Sequence, residues 1–141
     1  MAFGAERLAA ALAALDRGWQ DASHCVALSG GVDSVVLLHA MRALRDSGSV
    51  RSLRAVHADH GLQAASRDWA GHCRSLCAQA GVPLEVVELG LVARAGASVE
   101  AHARDARYAA FARQLRAGEW LLTAHHRDDQ LETVLIQLLR G

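Results

Sequence analysis

The sequence contains no lysine: its 15 basic residues are all arginine, and 15 acidic residues balance them. Chemistry that needs a side-chain amine is therefore excluded, including a Schiff-base nucleophile and the lysine of a Walker A phosphate loop. A phosphate site must use backbone amides and arginine instead. The zero net charge also argues against a strongly basic nucleic-acid clamp within these 141 residues.

Cysteines and long apolar runs are scarce as well. Three cysteines form no even-numbered disulfide framework, which favours a reducing, cytoplasmic location. Cys73 and Cys77 lie four residues apart in a helical pattern, and we expect buried structural thiols there, because a metal site needs further ligands. No apolar run approaches the roughly 20 residues that span a bilayer, so no membrane partner is expected.

Apolar runs alternate with amphipathic stretches along the whole chain. The pattern predicts strands at 24–28, 53–58, 84–89 and 120–124 and helices at 3–16, 35–45, 66–80, 99–116 and about 128–139. Such alternation predicts an α/β fold: a doubly wound, Rossmann-like parallel sheet with helices on both faces. Ligands then bind beyond the carboxyl ends of the strands. No repeat or linker interrupts the pattern, so residues 1–141 are predicted to form one domain.

The first candidate site is Ser-Gly-Gly-Val-Asp-Ser at residues 29–34, between a strand and a helix. Two glycines let the backbone turn tightly and present successive N–H groups, and the helix adds the positive end of its dipole. The segment can thus hold a pyrophosphate without a lysine. Asp33 suits a Mg²⁺ ion placed between its carboxylate and the phosphates. The alternative is an ordinary turn in which Ser29 or Asp33 caps the helix.

The second candidate site is the segment 121–133. His125 ends the fourth predicted strand, and Asp129 and Glu132 lie three residues apart at the start of the next predicted helix. They face the same crevice as residues 29–34 if the two strands are neighbours. The alternative is a capping box, since acidic residues are favoured at a helix start. Capping alone does not require two adjacent aspartates after two adjacent histidines.

A third candidate lies on the predicted helix 99–116. Arg104 begins a helical stripe that continues with apolar Tyr108 and Phe111, and Arg107 is its neighbour. An arginine at the head of an apolar row needs an anion. The partner is either a nucleotide phosphate or, in the alternative, Glu100 in an intrahelical pair worth a few tenths of a kcal/mol.

Residues 29–34 resemble the pyrophosphate loop of the ATP pyrophosphatases, the PP-loop enzymes, which cleave ATP to AMP and pyrophosphate. Further segments occur in the order seen in the tRNA(Ile)-lysidine synthetase family. These are His57-x-x-His60-Gly-Leu, Glu100-Ala-x-Ala-Arg104-x-x-Arg107-Tyr108 and Thr123-Ala-His125-x-x-Asp128-Asp129-x-x-Glu132-Thr133. The resemblance runs from about residue 25 to residue 141. It leaves the roles of His57 and His60 open.

The resemblance implies an adenine nucleotide alpha hydrolase-like fold and an ATP-dependent ligase that modifies tRNA. In the family, the C2 carbonyl oxygen of the wobble cytidine attacks the α-phosphate of ATP, and pyrophosphate leaves. The amine of free lysine then displaces AMP to give lysidine. ATP and Mg²⁺ are the implied cofactors, and tRNA(Ile) with a CAU anticodon and lysine are the implied partners. The oligomeric state, including a homodimer, stays open.

Carried over by position, the resemblance assigns Mg²⁺ to Asp33 and Asp129. It implies that His125, with Arg104 or Arg107, neutralises charge at the α-phosphate. It assigns the binding of the lysine ammonium group to Glu132, with Asp129 as a second carboxylate. The adenine is expected near the backbone of Ala27, Leu28 and Ala58. The full set of expected nucleotide contacts is Ala27, Leu28, Ser29, Gly30, Gly31, Val32, Asp33, Ser34 and Ala58.

The family's chains continue past this length with C-terminal tRNA-binding domains. We therefore expect these residues to be a truncated N-terminal PP-loop catalytic domain that is able to bind ATP. Whether the fragment completes the reaction without the C-terminal domains stays open. One alternative is another PP-loop enzyme, of the tRNA-thiolation or amidotransferase type. Thiolation enzymes bring Cys-x-x-Cys pairs, which this sequence lacks. A second alternative is a non-catalytic adenine-nucleotide-binding module, which needs no Asp33, Asp129 and His125 around the phosphate.

Overall fold

The computed structural model describes the chain in four stretches, residues 4–59, 65–89, 99–126 and 134–140. Side chains within them are described at 4–59, 68–89 and 106–124. The elements in these stretches are, in chain order, α1 (Ala5–Leu15), β1 (Ser23–Ala27), α2 (Val32–Asp46), β2 (Ser52–Asp59), α3 (Ala65–Ala80), β3 (Leu84–Glu88), α4 (Val99–Gln114), β4 (Glu119–His126) and β5 (Val134–Arg140). None of these helices combines the length and the hydropathy needed to cross a bilayer.

The strands form one sheet in the order β3-β2-β1-β4-β5. β1 is its centre, and Cys25 pairs in parallel with Arg54 of β2 on one side and with Leu121 of β4 on the other. β2 also pairs in parallel with β3. The chain therefore runs outward from β1 to β3 and then returns to the other side of β1. This reversal creates a crevice between the carboxyl ends of β1 and β4, where doubly wound folds bind ligands.

Helices cover both faces of the sheet, as the alternation of apolar runs predicts. Successive strand residues point to opposite faces. Val26 and Leu122 lie in a buried cluster with α1, α2 and α3, whereas Cys25 and Leu121, one position earlier, lie in a second cluster with Phe111 of α4. The predicted doubly wound architecture is confirmed.

Apolar residues at helical spacing decide which face of each helix is buried. Leu8 and Leu12 of α1 are fully buried, as are Cys73 and Cys77 of α3 to within 1%. Burial raises the pKa of the Cys73 thiol to about 11, and neither Cys73 nor Cys77 forms a disulfide. The prediction of buried structural cysteines is confirmed, and each is a small apolar core residue.

The last predicted helix is wrong where the structure describes it. Val134–Arg140 form an edge strand antiparallel to β4, with Leu121 opposite Leu139, and residues 127–133 lie outside the described residues. Periodicity alone does not separate helix from strand in so short an apolar run. The deciding factor is tertiary: the outer edge of β4 carries backbone groups that need partners, and β5 supplies them. The other elements begin and end within three residues of their predicted bounds.

Candidate functional site

A cavity of about 300 Å³ lies at the carboxyl ends of the three central strands. Residues 27–29 at the end of β1, 57–59 at the end of β2 and 123–124 of β4 line it, together with side chains of α3 and α4. This is the crevice that the strand order creates. Backbone groups of three strands, a glycine loop and one arginine therefore surround a single space.

The loop between β1 and α2 is held by hydrogen bonds between its own amides and hydroxyls. The hydroxyl oxygen of Ser34 accepts hydrogen bonds from the amides of Ser29 and Gly30, both at 3.2 Å, and donates to the Gly31 carbonyl at 3.0 Å. The Gly31 amide donates to the Ser29 hydroxyl at 3.2 Å. The amides of Ser29, Gly30 and Gly31 thus donate to the loop's own hydroxyls, and these hydrogen bonds fix the tight turn before a helix start, the kind of place where anions bind. The N-cap is Gly31 with no side-chain cap, so neither Ser29 nor Asp33 is the simple cap of the alternative interpretation.

Gly30 is required in this loop for two reasons. Its φ of +92° lies in the region that side chains with a Cβ rarely adopt. A Cβ on Gly30 would also lie 2.8 Å from Cε3 of Trp69, which packs against the loop from α3. The loop therefore turns tightly and lets the indole approach its backbone.

Asp33 lies in the first turn of α2, directly behind the loop. Among the residues that the structure describes, no three His, Cys, Asp or Glu side chains group as a metal site. An ion beside Asp33 would take phosphate oxygens among its other ligands. This fits Mg²⁺, which is usually bound by one or two carboxylates together with substrate phosphates. Asp129, the second predicted ligand, lies outside the described residues.

Helix α4 contributes an arginine to the cavity. Arg107, Tyr108 and Phe111 all line it, and the Arg107 guanidinium carbon lies 5.8 Å from the centre of the Tyr108 ring. The aromatic face favours the cation through the ring quadrupole and orients it. Arg104 lies on the same helix, but its side chain is outside the described part of the chain.

His57 holds the end of β1 in place. Its Nδ1 donates a hydrogen bond to the Leu28 carbonyl at 2.7 Å, and the Cys73 sulfur lies 3.5 Å from the same nitrogen. A carbonyl oxygen only accepts, so Nδ1 carries the hydrogen and Nε2 is the acceptor of the neutral ring. Leu28 is also held by its own amide, which donates a hydrogen bond to the Val56 carbonyl at 2.8 Å. The strand end from which the loop departs is thus fixed on two sides.

The structure brings several predicted residues together around the cavity, and other predicted residues lie outside the part of the chain that it describes. The predicted residues that line it are Ala27, Leu28, Ser29, Ser34, Ala58 and Arg107. Gly30, Gly31, Val32 and Asp33 belong to the same loop and helix start. His125 is a backbone member of β4 with an undescribed side chain, and Glu132 lies outside the described residues.

Sequence reasoning assigned no role to Trp69, Asp59, Thr123 or His57, yet all four line the cavity. His57, Asp59 and Thr123 lie near strand ends, and that position is a usable signal. Trp69 gave no signal, because only packing decides which strand end a helical side chain reaches.

Comparison with known proteins agrees with this geometry. The family model described as a PP-loop domain, of the ATP-binding class, matches residues 5–141. The chain belongs to the PP-loop domain family. Membership implies that it binds ATP.

Two relatives of this PP-loop domain are named tRNA(Ile)-lysidine synthase. The Pseudomonas fluorescens protein is 51% identical over 124 residues, which cover 87% of this chain and 28% of the relative. The Xanthomonas campestris protein is 54% identical over 116 residues, which cover 82% of this chain and 26% of the relative. The chain thus spans little more than a quarter of these relatives' length.

A solved structure shares the fold. It is the U34-tRNA thiolase NcsA from Methanococcus maripaludis with its [4Fe-4S] cluster, with a TM-score of 0.58 and 15% identity. The match covers 67% of this PP-loop domain and 35% of the thiolase chain. At this identity the similarity concerns the fold alone, which is that of the adenine nucleotide alpha hydrolases.

Proposed function

We propose that this PP-loop domain is the ATP-dependent adenylating part of a tRNA(Ile)-lysidine synthetase, a ligase that adds lysine to the wobble cytidine of tRNA(Ile). One observation carries the proposal: Ser29 and Ser34 of the loop 29–34 and Arg107 of α4 line a single cavity. The 51% identity to a lysidine synthase supports this choice among PP-loop enzymes. Free lysine and tRNA(Ile) with a CAU anticodon are the proposed partners, in the cytoplasm.

The first step of the proposed reaction moves negative charge onto phosphate. The C2 carbonyl oxygen of cytosine forms a bond to the α-phosphorus of ATP, and the bond to the β-phosphate breaks, so pyrophosphate leaves. The loop residues Ser29, Gly30, Gly31 and Ser34 are proposed to hold the departing phosphates, and Arg107 is proposed to neutralise charge at the α-phosphate. Fixed donors and cations placed where charge develops stabilise such a transition state.

The second step replaces AMP by lysine. The lysine amine forms a bond to C2 of the activated cytosine, AMP leaves with the former carbonyl oxygen, and the amine loses a proton. Glu132, with Asp129, is proposed to hold the ammonium group of the incoming lysine. His125 and Arg104 are proposed to assist Arg107 at the α-phosphate. These four roles rest on the resemblance of the motifs.

Asp33 and Asp129 are the proposed ligands of Mg²⁺. When bound, the ion neutralises charge on phosphate oxygens and orients the leaving pyrophosphate. Asp33 is well placed for this role, because it lies in the helix turn that directly follows the phosphate loop.

The thiolation alternative is disfavoured by the state of the cysteines. Cys25, Cys73 and Cys77 are exposed by 1% or less. Burial raises the pKa of Cys25 to about 12 and that of Cys73 to about 11. Thiolates are the nucleophiles and cluster ligands of cysteine chemistry, so these thiols are core residues. The non-catalytic alternative needs no Asp33, Asp129 and His125 at the phosphate, and the presence of all three in the sequence disfavours it.

Thermal unfolding in the presence of nucleotides tests the ATP site. A ligand that binds only the folded state stabilises it by about 2.7 kcal/mol at 100 times its Kd. We expect ATP with Mg²⁺ to raise the Tm and GTP to raise it much less. In Asp33→Ala the additional rise caused by Mg²⁺ disappears, whereas Asp46→Ala, at the other end of α2, keeps it.

An unchanged Mg²⁺ effect in Asp33→Ala would remove Asp33 from the metal site. A folded wild-type chain without any ATP effect would contradict the proposed nucleotide site. The ligase step is tested separately by transfer of labelled lysine to a tRNA(Ile) transcript with a CAU anticodon. A transcript with uridine at the wobble position is the control, and equal transfer to both contradicts the proposed substrate.

A further inference from the structure

Trp69 is an unusual tryptophan for this chain because half of its surface is open. It is 49% exposed, whereas the other two tryptophans, Trp19 and Trp120, are 7% and 6% exposed. Among the described residues only three large apolar side chains are exposed. Two of them, Val32 and Trp69, border the phosphate loop, and Leu15 lies on α1.

The indole is held at the edge of the cavity by two contacts. An ideal Cβ built on Gly30 lies 2.8 Å from Cε3 and 3.2 Å from Cζ3, so the benzo edge packs on the loop backbone. His72, one helical turn further along α3, contacts the ring edge-on, with centroids 6.0 Å apart and planes at 72°. The ring is therefore oriented, and it also lines the cavity.

We propose that Trp69 is a stacking platform for a nucleobase at the mouth of the phosphate-loop cavity. Planar bases stack on oriented, partly exposed aromatic rings, and single-stranded bases are commonly bound in this way. The inference rests on the proposed function, which brings two bases to this cavity. They are the adenine of ATP and a base of the RNA substrate, and both offer the same aromatic face.

The position of the ring suits either source. Its benzo edge touches the backbone that would hold the phosphates, so a base on the open part of the ring is beside the reacting phosphate chain. A ring that served only to shape the loop would need only its contact with Gly30. The open half of Trp69 is the part left for a ligand.

Tryptophan fluorescence provides a direct test with the chain itself. Because Trp19 and Trp120 are buried, quenching by a stacked base is expected at Trp69 alone. The probes are ATP with Mg²⁺ and, separately, an RNA hairpin with CAU in its loop. We expect one of them to quench the emission, and the quenching to be absent in Trp69→Phe. Quenching by ATP identifies adenine as the base, and quenching by the hairpin identifies the RNA.

Affinities measured without tryptophan emission complete the test: thermal shift for ATP and anisotropy of a labelled hairpin. For the quenching ligand, Trp69→Ala is expected to weaken binding roughly 5- to 100-fold, and Trp69→Phe to retain most of it. Leu15→Ala, which removes an equally exposed apolar side chain from α1, is expected to change neither affinity. Circular dichroism verifies that each variant is folded.

Two results would overturn the platform. One is a wild-type chain that shows an ATP-dependent thermal shift while neither ligand quenches its emission. The other is a folded Trp69→Ala variant that binds the quenching ligand as tightly as the wild type. Hairpin quenching without any ATP-dependent shift contradicts the proposed nucleotide site and supports the platform. Absence of all binding contradicts both.

Discussion

Two requirements make residue 30 a glycine, namely its backbone conformation and the space beside it, and Gly48 allows the two to be tested separately. Its φ of +92° disfavours any side chain with a Cβ, and a Cβ would also collide with Trp69 at 2.8 Å. Gly48 has a φ of +82°, but nothing lies within 4 Å of its ideal Cβ. The pair therefore separates backbone strain from steric conflict.

Gly48→Ala is expected to cost about 1–2 kcal/mol in the free energy of unfolding, the price of a left-handed backbone for an L-residue. Gly30→Ala is expected to cost more, because the loop or the indole must also move. It should abolish the ATP-dependent rise in Tm, which Gly48→Ala should retain. Urea unfolding and thermal shift measure the two effects. Equal losses of stability and a retained ATP response in both variants would contradict this account of the loop.

At the scale of elements, a buried ion pair connects β2 to β4 across the central strand and ties α4 to the sheet. Arg54 donates from Nε and Nη2 to the two carboxylate oxygens of Glu119, each at 2.7 Å. Nη2 also donates to the Gln114 carbonyl at the end of α4, at 2.9 Å. Burial by itself raises the pKa of Glu119, but its hydrogen bonds with Arg54 and the Arg116 amide outweigh this and lower the pKa overall. The helix that carries Arg107 is thereby anchored.

Removal of Glu119 leaves the buried charge of Arg54 with only the half-exposed Glu85 as an acidic partner. Glu119→Gln is expected to lower the free energy of unfolding by about 3–5 kcal/mol. Glu85 offers the matched control, since it lies 3.5 Å from Nη1 of the same arginine but its side chain is 51% exposed. Glu85→Gln is expected to cost less than about 1 kcal/mol. Urea unfolding at neutral pH measures both, and a loss at Glu119 no larger than that at Glu85 would refute the anchoring role.

At the scale of the whole molecule, a buried histidine couples stability to pH. His24 of β1 is fully buried against Trp120, with ring centroids 5.5 Å apart. Neither of its ring nitrogens has a hydrogen-bond partner in the described part of the chain. Burial lowers the pKa of His24 below 6.5, and the backbone of Ala22 opposes this only in part. The folded chain therefore holds His24 neutral where the unfolded chain takes up a proton.

Stability is expected to fall as the pH drops below 6.5, because the unfolded state then binds more protons than the folded state. The slope contributed by one histidine is at most about 1.4 kcal/mol per pH unit. Below pH 4.5 the lowered pKa of Glu119 adds a further loss. Urea unfolding between pH 7 and pH 5 measures the first effect. His24→Leu should flatten the curve in that interval, and an unchanged slope would assign the effect to other groups.

Local sequence pattern predicted most of the elements because the apolar spacing of each element is independent of its neighbours. It failed at Val134–Arg140, where an apolar run fits a helix or a strand and the edge of β4 favours the strand. The loop 29–34 was predictable from its residue types, because glycines followed by a helix start are suited to phosphate. Trp69 was not predictable, since its place at the cavity depends on how α3 packs against the sheet.

The sequence alone determined the alternation of strands and helices, the phosphate loop and the need for arginine where lysine is absent. These properties follow from residue type and short-range spacing. Only the tertiary structure decided the strand order, the cavity that Arg107 and the loop both line, the tautomer of His57 and the exposed face of Trp69. Each of those depends on contacts between residues far apart in the chain, which are set by packing and strand pairing.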